Sequence, residues 1–432
     1  MLYFNLKKMK MKKNVSNLIL SVALLLLSIT QLQSQTKRVL FIGNSYTSVN
    51  NLPQTIASVA SSVGDNLIFD SNTPGGYRFM DHATNPTTLQ KIGIGNWDYV
   101  VLQEQSQYPS FPDWQVEQEV YPYAQSLNNA ILNANPCTET VFYMTWGRKN
   151  GDAQNCPILP DVCTYLGMDN LLNARYRTMA QDNNAIVSPV GAVWRYIRQN
   201  FPSIELYQTD ESHPSVAGTY AAACAFYTVI YRKDPTLITF NSTLSATVAQ
   251  NIKNATKIVV YNNLAEWRVG TYDPVPQFNF TISGGQVTFN NTSLRASSYI
   301  WDFGDSTSST ESNPTHTYAT SGTFAVKLRA SKCGIEKHLI QNVTISQLNT
   351  EIPANNDANL LIYPNPTNAT LNIQLGNDLT INSLKIYDIF GKLIIEETQN
   401  FNQINVENFT TGVYIIEVVS DEKIYKNKFI KI

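Results

Sequence analysis

At 432 residues the chain exceeds what one compact core usually holds and fits two or three domains. Its 31 Lys plus Arg against 33 Asp plus Glu give a formal charge of −2, so no basic face is implied that would neutralise a phosphate backbone, and no nucleic-acid partner is expected. Only 15% of residues are charged while Tyr, Asn, Thr and Ser abound, a composition that suits a chain exposed outside the cell.

Residues 1–35 read as a secretory signal peptide: Lys7, Lys8, Lys10, Lys12 and Lys13 form a cationic head, Leu18 to Leu27 an apolar run, and the small polar stretch near Ser34 a cleavage site. That run is short of the roughly 20 residues that span a bilayer, and no later segment is apolar enough, so no transmembrane span is expected in the mature chain. Cysteines stand at 137, 156, 163, 224 and 333, an odd number that leaves at least one unpaired within the chain. Cys156 and Cys163 lie close together among prolines, the best candidates for a local disulfide. No CxxC pair occurs and the histidines lack metal-ligand spacing, so neither a metal nor another cofactor is expected.

Residues 36–270 alternate short apolar runs with longer amphipathic stretches. Val39–Ile42, Leu67–Phe69, Tyr99–Leu102, Val141–Met144 and Ala185–Val187 read as buried parallel strands. Helices are predicted at Leu52–Val63, Trp114–Leu132, Asp169–Ala180 and Ala192–Asn200, with Ser215–Tyr231 closing the block. The order predicts an α/β fold, an open parallel sheet with helices on both faces, and puts chemistry in the loops beyond the carboxyl ends of the strands. Residues 275–347 then alternate apolar and polar positions with a period of two, punctuated by Gly284–Gly285, Gly304 and Gly322, and read as a small β-sandwich. A polar spacer at 348–359 reads as a linker, and 360–432 returns to β alternation, as in Thr370–Leu375 and Val413–Val419.

Two segments of the first block carry chemistry. Val39–Thr47 runs from the first strand into a turn that delivers Ser45 to the carboxyl edge of the sheet. Alone, a serine after Gly43 and Asn44 reads first as a turn residue or helix N-cap; as a nucleophile it needs a base. Thr209–Ser215 supplies one before the last helix: His213 takes a proton near neutrality, and a carboxylate, Asp210 or Glu211, orients its ring. Arg78 and His82 follow the glycine turn Thr73–Gly76 and border the same edge, with His82 a rival base.

Gly43-Asn44-Ser45 and Asp210-x-x-His213-Pro214, in this order on a β-α pattern, resemble the SGNH or GDSL superfamily of hydrolases over roughly residues 38–235. The resemblance implies a flavodoxin-like parallel sheet and a triad of Ser45, His213 and Asp210, preferred over Glu211. It also implies an oxyanion hole built from the N–H groups of Ser45 and Gly76, with Gly75 as the neighbouring alternative, and an asparagine after the third strand. At that strand the sequence reads Gln103-Glu104-Gln105-Ser106-Gln107, so the donor is Gln103 or Gln105, whose amides offer the same N–H. This segment and Met144-Thr145-Trp146-Gly147 resemble a branch of uncharacterised or carbohydrate-associated secreted members. Trp146 and Arg148, just past the fourth strand, are placed to hold a sugar and its substituent, with Arg78 as a further substrate-binding candidate; packing for the tryptophan and a solvated charge for Arg148 are the alternatives. The expected activity is a serine esterase acting on acylated polysaccharide or another ester. An inactive surface adhesin or glycan-binding protein, or a lipase or thioesterase, remains open.

Tyr299-Ile300-Trp301-Asp302-Phe303-Gly304-Asp305 and Asn313-Pro314-Thr315-His316-Thr317-Tyr318 resemble PKD domains, immunoglobulin-like sandwiches that imply spacing or weak binding to polysaccharide or protein, with His316 structural. Ile362-Tyr363-Pro364-Asn365-Pro366, Leu384–Lys392, Thr411–Tyr414 and a basic end resemble the type IX secretion sorting domain of Gram-negative bacteria. That implies the type IX machinery as a partner and a secreted or cell-surface location.

Overall fold

The computed structural model describes residues 34–346, 360–376, 380–399, 401–420 and 423–432. The expected linker at 348–359, and the expected signal peptide except Ser34 and Gln35, lie outside them. The chain divides into two units between Asp273 and Pro274.

Apolar runs too short for helices form the centre of the first unit. Strands β1 (Thr36–Ile42), β2 (Asn66–Asn72), β3 (Tyr99–Leu102), β4 (Glu139–Tyr143) and β5 (Ile186–Ser188) pair in parallel in the order β2-β1-β3-β4-β5. Val39 to Ile42 are wholly buried, as expected where helices cover both faces of a parallel sheet. The order reverses between β1 and β3, so the loops after those two strands diverge and leave a crevice at the carboxyl edge, where sheets of this kind bind ligands.

The helices are α1 (Ser45–Ser48), α2 (Leu52–Ser61), α3 (Phe79–Thr84), α4 (Pro86–Gly93), α5 (Asp113–Glu119), α6 (Tyr121–Ala134), α7 (Tyr165–Asp182), α8 (Val190–Asn200), α9 (Val216–Tyr231) and α10 (Ala246–Val259). The single helix expected over Trp114–Leu132 is two, α5 and α6. Pro122 has no N–H to give and its ring opposes the carbonyl four residues earlier, so the helix restarts at Tyr121 with the proline in its first turn. Helices α1, α3, α4 and α10 are additional; Asn85 ends α3 and caps α4 through its Oδ1 on Thr88 N–H at 3.0 Å. Helix α9 is buried on every side, from Ala217 to Tyr231, which accounts for its nearly uniform Ala, Tyr and Phe composition. Cys156 and Cys163 form a disulfide, and Cys224 is a buried free thiol in α9.

The second unit is antiparallel β throughout. Its first part has one sheet of β6 (Phe278–Ser283), β7 (Gln286–Asn291) and β10 (Thr315–Thr317), and another of β8 (Ser298–Asp302), β9 (Ser308–Ser309), β11 (Gly322–Lys332) and β12 (Ile335–Ile345). Phe278, Val287 and Phe289 from one sheet share a core with Trp301, Val326 and Leu328 from the other, the two-layer arrangement of a sandwich. Tyr318 locks it by donating its O–H to Phe303 O at 2.9 Å. His316 stacks on Phe303 with ring centroids 4.2 Å apart and pairs with Asp305 at 2.7 Å, while Asp302 and Asp305 accept backbone N–H groups of their own turns. The last part joins a sheet of β13 (Leu360–Tyr363), β14 (Thr370–Leu375) and β17 (Gln403–Asn405) to one of β15 (Ile381–Asp388), β16 (Leu393–Glu397), β18 (Gly412–Ser420) and β19 (Ile424–Lys431). Leu371 and Ile373 meet Leu384, Ile416 and Phe429 in its core.

Gly191 is among the glycines of the first unit that are fixed by space. Gly191, in the first turn of α8, donates its N–H to Met144 O at 3.0 Å, and a Cβ there would stand 2.1 Å from Thr145 O. Gly191→Ala forces the α8 start away from the end of β4 and is expected to cost about 1–3 kcal/mol, read as a lower denaturant midpoint; an unchanged midpoint would contradict this packing.

Candidate active site

The turn after β1 is shaped by what Gln103 does beneath it. A Cβ on Gly43 would lie 2.6 Å from Gln103 Oε1 and 2.7 Å from Thr47 Oγ1, so only glycine lets β3's outgoing chain come so close. Gln103 Oε1 accepts from Asn44 N–H and from the Thr47 hydroxyl, each at 2.9 Å, and its Nε2 donates to Glu104 O. Asn44 caps α1 by accepting from Tyr46 N–H at 3.1 Å and reaches the glycine-turn loop by donating Nδ2 to Tyr77 O at 2.9 Å. Ser45 therefore opens α1, held on both sides by buried hydrogen bonds.

The loop before α9 closes over it. Gln208 N–H bonds to His213 O at 2.8 Å, Glu211 takes a left-handed φ of 59°, and Ser215 caps α9 through Gly218 N–H at 3.1 Å. His213 Nε2 lies 2.8 Å from Ser45 Oγ and its Nδ1 2.5 Å from Asp210 Oδ2. Asp210 Oδ1 also accepts the N–H groups of Ser212 and His213, at 3.1 and 3.0 Å. Burial works against the Asp210 charge, but the His213 ring and these two N–H groups outweigh it and hold the carboxyl below its ordinary range. With Nδ1–H donated to Asp210, Nε2 accepts the serine proton. Glu211 turns away and accepts from Asn150 Nδ2 at 2.9 Å.

A column of rings holds the loop in register. Tyr46 stacks on Trp146 with centroids 4.8 Å apart, and Trp146 on Trp194 at 3.7 Å. Tyr46 also meets the His213 ring edge-on at 5.4 Å, its hydroxyl lies 2.6 Å from Ser212 Oγ, and Trp146 Nε1 donates to Ser212 O at 3.1 Å. This corrects the expectation that Trp146 holds a sugar: it is wholly buried with both faces covered by rings. No sequence pattern marks the column, because its three rings come from α1, the loop after β4 and α8.

Of the expected oxyanion donors, Gln103 is also corrected. It is wholly buried and its amide is engaged by the Ser45 turn and Glu104, so it has no face toward the crevice. Gln105 is half-buried; its Oε1 accepts Gln107 N–H at 2.8 Å and its Nε2 has only a long contact of 3.3 Å to Gln107 Oε1. Gly76 is exposed with φ 74° in the loop tethered by Asn44. Among the described residues neither the Ser45 nor the Gly76 N–H has a protein acceptor. Gly75 adjoins it, also exposed.

Two cations stand at the rim. Arg148 pairs with the buried Asp152 at 3.0 Å, and Asp152 in turn accepts from Gln107 Nε2 at 2.7 Å. Lys149 N–H bonds to Glu211 O at 2.9 Å, which sets this segment beside the His213 loop. The Arg148 Nε is buried without an acceptor among the described residues. Arg78 pairs with Asp81 at 3.2 Å and donates to Tyr108 Oη at 3.1 Å. His82 is not at the rim. It is wholly buried, with Nε2 2.8 Å from Gly43 O and Nδ1 2.8 Å from Thr88 Oγ1, and burial pushes its pKa down, so the neutral ring donates Nε2–H to Gly43 O and buttresses the Ser45 turn.

If Trp146 is a pillar, Trp146→Ala opens a cavity between two rings and is expected to cost about 3–5 kcal/mol in unfolding free energy, measured by denaturant titration. Unchanged stability with a raised KM would return Trp146 to substrate binding.

Comparison with known proteins bears on all three parts of the chain. Residues 274–345 match the sequence model of the PKD domain and residues 361–432 that of the secretion system C-terminal sorting domain. Collagenase ColA of Bacillus cereus is 47% identical over 51 residues, 12% of this chain and 5% of that protein. The chain thus spans a small fraction of that relative. A DUF4886 family protein from Bacteroides uniformis is similar in structure at 17% identity and TM-score 0.45, covering 53% of this chain and 95% of that one. The acetyl xylan esterase AlAXEase (15%, TM-score 0.33, 45% and 99% covered) and a family 3 carbohydrate esterase of Clostridium thermocellum (13%, TM-score 0.32, 45% and 96% covered) are also similar. At these TM-scores they assign no activity to this chain. The second unit carries a PKD domain followed by a secretion system C-terminal sorting domain.

Proposed function

We propose that the first unit is an ester hydrolase in which Ser45 is the nucleophile, His213 the general acid and base, and Asp210 the group that orients the imidazole. The observation that carries this reading is the continuous line Ser45 Oγ, His213 Nε2, His213 Nδ1, Asp210 Oδ2, with steps of 2.8 and 2.5 Å between the residues. A buried structural histidine would satisfy both nitrogens on fixed partners, as His82 does; His213 instead offers one nitrogen to a serine hydroxyl at the sheet's carboxyl edge.

In the reaction Ser45 attacks the acyl carbonyl as His213 Nε2 takes its proton. The oxyanion is held by the N–H groups of Ser45 and Gly76 and by the Gln105 amide, donors fixed in place before the charge develops. His213 returns the proton to the departing alcohol. Water then attacks the acyl-enzyme, giving its proton to His213, and Ser45 leaves the acid with that proton restored.

An acylated carbohydrate is the substrate class this rim favours. The loops around the crevice carry polar, partly exposed side chains: Gln105, Gln107 and the guanidinium of Arg148, which is paired with Asp152. Arg78, engaged by Asp81 and Tyr108, borders the opposite loop. The PKD domain adds weak binding to polysaccharide, and the sorting domain directs the chain through the type IX machinery to the cell surface or medium of a Gram-negative bacterium.

Hydrolysis of p-nitrophenyl acetate and acetylated xylan by the full chain should vanish in Ser45→Ala, and Asp210→Asn should lower kcat by about a thousandfold or more. Equal rates in wild type and Ser45→Ala would overturn the assignment. Deleting residues 360–432 should leave the esterase active but confined to the periplasm; normal export of that truncation would contradict the sorting role.

A further inference from the structure

Beneath the crevice lies a carboxyl that neither the triad nor the oxyanion donors account for. Glu104, next to Gln103 at the end of β3, is wholly buried. Both its oxygens lie 3.1 Å from Phe79 N, and Oε1 lies 2.6 Å from Gln105 N. Its own N–H points to Tyr176 Oη at 3.3 Å. Phe79 follows Gly76 by three residues, and Gln105 is the next residue in the chain. The carboxyl thus links the two loops that supply the second and third oxyanion donors.

Resting on the hydrolase reading, we infer that Glu104 is a positioning residue that sets the gap between Gly76 and Gln105, and thereby the size of the oxyanion hole. Two backbone N–H groups converge on one wholly buried side chain, whereas the other tie between these loops, Arg78 to Tyr108 Oη, is made by a partly exposed guanidinium. A glutamine in its place keeps an acceptor for both N–H groups, whereas alanine leaves both buried and unpaired.

The charge state fits this role. Burial pushes the Glu104 carboxyl up to about 8, against the opposing pull of its hydrogen bonds from Gln105 and Phe79. The charged or titratable groups facing it are Arg78 and Asp81, from the Gly76 loop and α3, and Tyr176 from α7. Burial favours the uncharged form of the carboxyl, which does not oppose an oxyanion at the loops it links. Its deprotonation at higher pH sets a negative charge beneath the hole and disfavours the transition state.

The test compares full-length wild type, Ser45→Ala, Glu104→Gln and Glu104→Ala on p-nitrophenyl acetate from pH 6 to 10, with circular dichroism to verify folding. Glu104→Ala is expected to lower kcat about 10- to 100-fold with KM little changed, since a misplacement of about 1 Å costs on that order. Glu104→Gln is expected to keep most of the wild-type kcat, and to lack the fall in kcat at alkaline pH that is expected of wild type. If wild type is active, Ser45→Ala inert, and Glu104→Gln shares the wild-type alkaline limb, the inference about Glu104 fails while the hydrolase reading stands. If folded wild type is as inert as Ser45→Ala, both fail. The glutamine variant decides the matter even if the alanine variant does not fold.

Discussion

The stack of Tyr46, Trp146 and Trp194 is the interaction on which the candidate site depends. Ser45 and His213 are separated by 168 residues, and a contact of 2.8 Å between such distant segments needs a rigid spacer. The column provides it. Tyr46 follows the nucleophile directly, and Tyr46 and Trp146 both bond to Ser212, the residue before the histidine. Ring stacking contributes about 0.5–1.5 kcal/mol per pair beyond the area buried, and its flat geometry leaves the His213 loop little freedom to slide. Asn50 adds a second tie, donating Nδ2 to Pro214 O at 2.9 Å and to Thr219 Oγ1 at 3.0 Å.

A parallel sheet and the β-α order were legible from the apolar runs, because strands buried on both faces can tolerate little else. The turn after β1 and the loop before α9 draw attention to Ser45 and His213, but it is the resemblance of Gly43-Asn44-Ser45 and Asp210-x-x-His213-Pro214 to a hydrolase superfamily that singles them out and prefers Asp210 over Glu211. What escaped was everything decided by the direction of a side chain. Gln103 and Gln105 are chemically the same, yet the first lies under Gly43 with its amide consumed while the second is half-buried and bonds within its own loop to Gln107. Trp146 reads equally as a sugar platform or a core ring until Tyr46 and Trp194 close both its faces. Glu104 lies unmarked between two glutamines, since a buried acidic side chain is normally paired with a cation, and the carboxyl of this one accepts backbone N–H groups instead.

The buried polar groups around the turn form one connected set. His82 supports Gly43 from one side, Gln103 holds Asn44 and Thr47 from another, and Asn44 passes the tether on to Tyr77. Such a set holds a short loop more firmly than apolar packing would, because every partner has a direction. Helix α1 spans only Ser45–Ser48 and would be marginal alone. Its stability comes from this surrounding network, which is also what fixes the hydroxyl of Ser45.

The chemistry proposed for the first unit requires Ser45 to be an activated nucleophile rather than a capping serine. Incubating the full chain with a fluorophosphonate and sequencing the labelled peptide by mass spectrometry tests that claim directly. A single phosphonyl adduct on Ser45, lost in His213→Ala, is the predicted result. An unlabelled chain, or label distributed over other serines with Ser45 untouched, would contradict it.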